Sequence, residues 1–526
     1  MARPSITCVL VLLTTSCAFA QPVISSTQVV NSASYLAQGQ PGSGIAQGSI
    51  FTIRGGGFGP SASWVATGPL PLKNSVNGTS VAVTAGGQTY KALILGANSY
   101  QVNALLPSTV PVGSATVTVT YNNQTSAAET FQVVSGSFGP YTFNSGGYGQ
   151  AIATDLNYQL NTIIHTYHPG DWVVLWGTGL GAINGDDSEK PAVGNLGNPT
   201  VHVGNASLTP YYAGRSADFP GLDQVMFQVP TGIQGCYVPV AVEINGSIGG
   251  VATIAVSTSG QTCTDSIMGQ DLISELAAGG TVRFGLIQLY AIVMRLSGAP
   301  DFGQATFSEY TPLTAGLANY GVSQGYCLPY VNGPDSSPGQ LNAGPGITLV
   351  GPSTATLPPT SPGWGYYYSM FNTTAQFFWS ARQYTVSGTG GTKVGPFSVN
   401  DTTSIPSAYL SGINFGQNVP MSSDFTVTWT GGDPTLQNGL ITIAGYSVSA
   451  QNTFGAFMCT APVSAQSFTI PKWVLSTMPP TGLGYSGPNG AIWVGQSNTP
   501  VAFQATGLDK GILIDEFFIG MPVYFK

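Results

Sequence analysis

Hydrophobic and polar positions alternate in short runs along most of the chain. Ser80-Val81-Ala82-Val83, Ala115-Thr116-Val117-Thr118-Val119, Thr200-Val201-His202-Val203 and Tyr237-Val238-Pro239-Val240-Ala241-Val242 are set apart by clusters of Gly, Pro and Asn. A period of two gives a strand with one face in a core and the other in water, so these runs predict the short strands of an all-β sandwich. One helix is expected, over Gln270 to Ala278, with Asp271 and Glu275 toward its N-terminus, where the helix dipole favours acids. After it the pattern returns to strand at Val282 to Met294, Gln304 to Tyr310, Phe377 to Val386, Phe425 to Trp429, Leu440 to Ser447, Ser467 to Ile470 and Phe517 to Tyr524.

The first half repeats itself. Gly48-Ser49-Ile50-Phe51-Thr52-Ile53-Arg54-Gly55-Gly56-Gly57-Phe58-Gly59 returns at an offset of 122 as Gly170-Asp171-Trp172-Val173-Val174-Leu175-Trp176-Gly177-Thr178-Gly179-Leu180-Gly181. Gln101-Val102-Asn103-Ala104-Leu105-Leu106-Pro107 returns at an offset of 123 as Gln224-Val225-Met226-Phe227-Gln228-Val229-Pro230. Two copies of one module of about 115 residues and seven strands have the size and layout of immunoglobulin-like domains. The expected organisation is a leader at 1–20, two immunoglobulin-like repeats at 21–137 and 138–263, and a larger β-rich domain at 264–526 that is either one body or two sub-sandwiches.

The paired glycine turns, the Gln-Val-Asn/Met...Pro segments, Asn31-Ser32-Ala33-Ser34 and the Gly235-Cys236...Cys263 pair resemble a secreted repeat family of Solibacter-type Acidobacteria, built from IPT/TIG-like immunoglobulin modules. The resemblance covers about residues 28–263 and departs at Met226, where the first copy has Asn103. It implies fold and export and carries over no site residues. Segment Phe425 to Pro434, with Phe457-Met458-Cys459, is similar to C-terminal β-domains of other exported proteins of those bacteria.

Composition narrows the function. Only 13 Lys and Arg and 21 Asp and Glu occur in 526 residues, a charged fraction of 6%. That excludes the basic surface a nucleic-acid partner requires. Met1 to Ala20 carries one early cation at Arg3, an apolar stretch from Val9 to Leu13, and Ala18-Phe19-Ala20 before Gln21, the signature of a cleaved secretory signal. A lipoprotein reading at Cys17 is weakened by Thr14-Thr15-Ser16. The best later apolar run, Phe284 to Met294, is too short for a membrane helix, which needs about 20 residues, and reads as a buried strand. Beyond the leader stand Cys236, Cys263, Cys327 and Cys459. Three pairings are open. Cys236 with Cys263 and Cys327 with Cys459 are favoured, since the first brackets one strand-turn-strand unit and the second lies wholly in the second half. None has the short spacing of a zinc site.

Catalytic motifs are missing. Gly484-Tyr485-Ser486-Gly487 is not a G-x-S-x-G elbow, and three histidines leave few bases for a triad. Gly388-Thr389-Gly390-Gly391-Thr392-Lys393 lies between strand candidates with no following helix, so it reads as a hairpin turn and not a phosphate loop. His165, His168 and Asp171 alternate faces in an extended linker. The acidic loop with Asp186, Asp187 and Glu189 offers hard oxygen ligands and is a weak calcium candidate without the EF-hand pattern. No cofactor is expected. Trp364, Tyr366, Tyr367 and Tyr368, followed by Trp379, supply flat rings for sugar C–H faces, although alternation within a strand would bury half of them. The sequence therefore points to an exported, non-enzymatic binding or adhesion protein at the cell surface, in the extracellular space or in the periplasm. Its expected partner is a polysaccharide, bound through 264–526, or a surface protein. The alternatives are a secreted carbohydrate-active enzyme with paired acids in the second half and a structural component of an extracellular layer.

Overall fold

A computed structural model of the chain describes residues 21–60, 63–294, 301–318, 321–330, 338–351, 354–361, 365–371, 383–401, 408–436, 439–484 and 487–526. The chain is all-β, with two immunoglobulin-like sandwiches followed by a larger sandwich-type body. In the first sandwich one sheet carries Ile50–Gly56 and Gln101–Leu105, and the other carries Thr79–Ala85, Gly113–Tyr121 and Glu129–Val134. Alternation aims Phe51, Ile53 and Val102 at Val83, Val117 and Phe131 in a shared core. The second sandwich repeats the scheme, with Val173, Leu175, Val225 and Phe227 facing Val201, Val240, Val242 and Ile254.

Polar groups join the two sandwiches. Arg215, fully buried, pairs with buried Asp223 and donates to the Gly181 carbonyl of its own sandwich at 2.6 Å and to the Gly48 carbonyl of the other at 2.5 Å. Asp223 also accepts from the Gly179 and Leu180 amides at 2.7 and 2.8 Å. The Ile50 amide donates to Thr178 Oγ1 at 3.0 Å, so the glycine turn of the second copy is stitched to the first strand of the repeat in the first copy.

The C-terminal body is organised by one large sheet. Its strands lie side by side in the order Cys327–Tyr330, Phe454–Pro462, Leu440–Val448, Gly490–Ser497, Lys510–Phe525, Val282–Met294 and Asp301–Tyr310, with Tyr366–Phe371 pairing the last. The chain's final strand thus sits in the middle, parallel to Val282–Met294. One face of the sheet covers two cores. Ile443, Phe457 and Val494 pack with Trp429 of a three-stranded sheet, while Phe307, Tyr367 and Leu513 pack with Val386 and Phe397 of a four-stranded one. At one end of the other face, Phe284, Leu286, Ile512 and Ile514 are covered by Leu272, Ile273 and Leu276 of the helix Gln270–Ala277 and by Ile163, Ile164 and Cys236 of the second sandwich. His202 of that sandwich stacks on Trp473 at 5.3 Å and 13°. Both favoured disulfides are present, Cys236–Cys263 and Cys327–Cys459.

The expected helix and the expected strands at Val282 to Met294, Gln304 to Tyr310, Phe425 to Trp429, Leu440 to Ser447 and Ser467 to Ile470 are present, and other strands escape the pattern for identifiable reasons. Cys327–Tyr330, Phe454–Pro462 and Gly490–Ser497 are strands that it did not predict. They contain Pro329, Gly455, Pro462 and Gly495, residues that break a period-two pattern. Gly495 is demanded by its partner: the Phe518 ring lies where a Cβ would stand. The expected strand Phe517 to Tyr524 is the end of a longer one, Lys510–Phe525. Of Phe377 to Val386, the structure describes Tyr384–Gly388, and residues 377–382 lie outside the described residues. Tyr384–Gly388 and Phe397–Asp401 pair antiparallel, which makes the glycine-rich stretch between them a hairpin connection.

An aromatic trough on the large sheet

Beyond the helix, the same face of the large sheet presents one aromatic ring from each of six adjacent strands. In order across the sheet these are Tyr368, Phe302, Tyr290, Phe518, Trp493 and Tyr446. Register places them on one face: Phe302 opposes Met370 and Tyr290, Ile292 opposes Phe518, and Trp493 opposes Gly520 and Ala444. Phe302 stacks on Tyr290 at 4.3 Å and 14°, and Tyr290 on Phe518 at 6.5 Å and 18°. Phe518 meets Trp493 edge-on at 6.5 Å and 70°. The ends are tilted contacts, Tyr368 with Phe302 at 6.3 Å and Trp493 with Tyr446 at 5.3 Å. Tyr290 and Phe518 form a buried floor, while Tyr368 and Met370 are exposed at the rim.

The sheet is curled into a trough. Tyr368 and Tyr446 lie five strand spacings apart, about 24 Å in a flat sheet, yet both line one cavity. Burial pushes the Tyr366 hydroxyl up, and the phenols of Tyr330 and Tyr368 add to that. The resulting cavity, about 250 Å³, is lined by Phe302, Tyr368, Tyr446 and Trp493 with Ile292, Met294 and Met370.

A polar row runs beside the rings. Gln304 Nε2 donates to Gln288 Oε1 at 3.0 Å and to the Tyr290 hydroxyl at 3.4 Å, and the Tyr366 hydroxyl donates to Gln304 Oε1 at 3.4 Å. Glu516, opposite both Tyr290 and Ser497, closes the row. Burial pushes its carboxyl up to about 7, with Ser497 and Gln288 opposing. Because the folded pKa exceeds the unfolded one, stability contributed by the bound proton is present below about 4.5 and lost as pH rises through about 7. Glu516→Gln is expected to abolish that dependence. The difference in unfolding free energy between wild type and variant, from denaturant titration, should change by on the order of 3 kcal/mol from pH 4.5 to 8. A difference independent of pH would contradict the buried, proton-holding Glu516.

The tyrosine run divides by alternation. Tyr366 and Tyr368 face the trough. Tyr367 is corrected to a core residue: it is fully buried, packs edge-on against Phe307, accepts from the Ala343 amide at 3.0 Å and donates to the Gly344 carbonyl at 2.9 Å. Trp364 and Trp379 lie outside the described residues. Tyr290, Phe302, Tyr446, Trp493 and Phe518 were not found from sequence, because pairing register and not chain proximity brings them together. Each strand carries an aromatic on its outward parity, but nothing in the sequence says which strands lie side by side.

The acidic loop of the weak calcium candidates Asp186, Asp187 and Glu189 is held in place by hydrogen bonds. Asp187 accepts from the Ser108 amide and hydroxyl, both at 2.7 Å, and ties the loop to the first sandwich. Asp186 accepts from the Ser188 amide and hydroxyl at 2.8 and 2.7 Å, and the Glu189 amide donates to the Asp186 carbonyl. Among the described residues no three His, Cys, Asp or Glu side chains group to hold a metal ion. Nor is any helix among them long and apolar enough to cross a membrane. His168 contacts Asp171 at 3.2 Å and the Gly260 carbonyl at 2.9 Å, which anchors the linker.

No family model and no curated protein matches this chain. Among solved structures it is similar to SGBP-B of the Bacteroides ovatus mixed-linkage glucan utilisation locus, at 10% identity over 86% of this chain and 96% of that one, with a TM-score of 0.16. Immunoglobulin domains 1–4 of Sidekick-1 match at 12% identity over 95% and 100% of the two chains, with a TM-score of 0.14. Domains 4–9 of the surface layer protein SbsC match at 12% identity over 95% and 65%, with a TM-score of 0.18. Superpositions this loose do not bear on what the chain binds.

Proposed function

We propose that this chain is an exported, non-enzymatic binding protein that holds a neutral polysaccharide along the aromatic trough. The observation that carries the reading is the six-ring row on six adjacent strands, bordered by Gln288, Gln304 and Tyr366. Sugar C–H faces pack on rings, and neighbouring amides and phenols take the hydroxyls. Strand-borne rings locked by stacking are ordered before the ligand arrives, which lowers the entropic cost of binding. A chain with 6% charged residues suits an uncharged polymer. Two disulfides agree with an oxidising destination. Alternation sends Asp515, the neighbour of Glu516, to the opposite face, where it accepts from Asn498 at 3.3 Å, so these two acids do not flank one cleft.

The test is affinity electrophoresis of the purified protein through gels containing neutral glucans, mannans, xylans or galactans. For the retarding polymer, Trp493→Ala and Tyr368→Ala are each expected to weaken binding by about two- to tenfold, the worth of one stacking contact. Tyr367→Phe, on the same strand as Tyr368 but facing the core, should leave it unchanged. Equal binding by wild type, Trp493→Ala and Tyr368→Ala would overturn the trough as the site.

A further inference from the structure

We propose that the outward sheet face of the second sandwich is a second surface for a neutral carbohydrate chain, separate from the trough. Val173, Leu175, Val225 and Phe227 point into the core of that sandwich. Their neighbours in the same strands therefore point out, and register pairs Trp172 with Gln228, Val174 with Met226 and Trp176 with Gln224. The two indoles stand four residues apart on one strand, about 13 Å by strand rise. These paired positions carry no formal charge, and the amides of Gln224 and Gln228 flank the indoles. That chemistry fits a neutral, hydroxyl-rich ligand better than a charged one.

Each indole has an exposed tyrosine beside it. Tyr211, 75% exposed, meets Trp172 edge-on at 5.3 Å. Tyr158, also 75% exposed, stacks over Trp176 at 6.5 Å and 20°, while Trp176 Nε1 donates to Thr154 Oγ1 at 3.1 Å and fixes the indole. Tyr158 is held at φ 63°, the left-handed region that bulky residues seldom occupy. The turn that holds it is closed by Asp155 Oδ1, which accepts from the Asn157 and Gln159 amides at 2.8 Å each. Glycine or asparagine would sit there with less strain, and burial does not compensate for the ring. An exposed aromatic kept in a costly conformation is a residue retained for contact.

Two surfaces on one chain would let a long polymer bind at both, with an avidity that neither has alone. The test uses the full-length protein and the same panel of neutral polymers, with calorimetry on short oligosaccharides of the retarding polymer. Two oligosaccharides per chain are expected, falling to one in Tyr158→Ala/Tyr211→Ala and, separately, to one in Trp493→Ala/Tyr368→Ala. Retardation by the long polymer should fall more than tenfold in either variant. Tyr158→Gly separates strain from contact: it is expected to raise the melting temperature while weakening binding. A single site unaffected by Tyr158→Ala/Tyr211→Ala, or no binding to any polymer of the panel, overturns the proposal. So does concentration-dependent dimerisation in sedimentation that Tyr158→Ala/Tyr211→Ala abolishes, since the face would then belong to a second copy. Loss of binding in the Tyr158 and Tyr211 variant alone would keep this surface and remove the trough.

Discussion

Arg215→Met is expected to destabilise the paired sandwiches by about 3–5 kcal/mol, because it strands a carboxylate in a core. Asp223 is fully buried and forms its ion pair with Arg215. Burial pushes its carboxyl up, while Arg215 and the amides of Leu180 and Gly179 hold the ionised form. Removing the guanidinium leaves two amide donors to support a buried charge. It also releases the Gly48 and Gly181 carbonyls, so the strut between the repeats fails together with the ion pair. Arg215→Met/Asp223→Asn should recover part of the loss, since the second substitution removes the unpaired charge, and the two effects should not add. Chemical unfolding followed by tryptophan fluorescence checks both, as Trp172 and Trp176 report on the second sandwich. A loss below about 1 kcal/mol for Arg215→Met would show that the pair contributes no more than a surface salt bridge.

The other large effect is expected from the Cys327–Cys459 bridge. The two cysteines are direct cross-strand partners at the edge of the large sheet, both buried, and the bond closes a separation of 132 residues. Loop closure on that scale corresponds to about 5 kcal/mol in the chain-entropy model, against about 3.5 kcal/mol for the separation of 27 between Cys236 and Cys263. Cys327→Ala/Cys459→Ala is therefore expected to lower the unfolding midpoint of the C-terminal body well below that of Cys236→Ala/Cys263→Ala. That edge strand flanks Phe454–Pro462, which in turn flanks the strand of Tyr446 at the end of the ring row, so polysaccharide affinity should fall with it. Differential scanning calorimetry of both variants decides the order. Equal midpoints would mean that the edge strand holds its place without the bond.

What could be read from the sequence was whatever depended on local period and spacing. The repeat at Gly48 and Gly170, the helix near Gln270 and the inward parity of Val173 or Val225 are all properties of a few consecutive residues. Alternation even anticipated that the run Tyr366-Tyr367-Tyr368 must split, although it could not say which ring goes inward. Tyr367 does, because the register of its strand with Asp301–Tyr310 sets it beside Phe307. The trough was out of reach for a different reason. Its rings come from positions as far apart as Tyr290 and Phe518, and they meet only because the last strand inserts in parallel beside Val282–Met294. A pairing of that sequence separation is fixed by tertiary packing and leaves no local mark. The strut behaves in the same way: nothing around Arg215 announces that its guanidinium reaches the Gly48 carbonyl.

A crystal structure of the full-length protein soaked with an oligosaccharide of whichever neutral polymer retards it puts the trough to the most direct test. Sugar rings are expected on Trp493, Phe302 and Tyr368, with hydroxyls within hydrogen-bond distance of Gln288, Gln304 or Tyr366. Sugar density confined to sites away from the large sheet, with that trough unoccupied, would contradict that expectation.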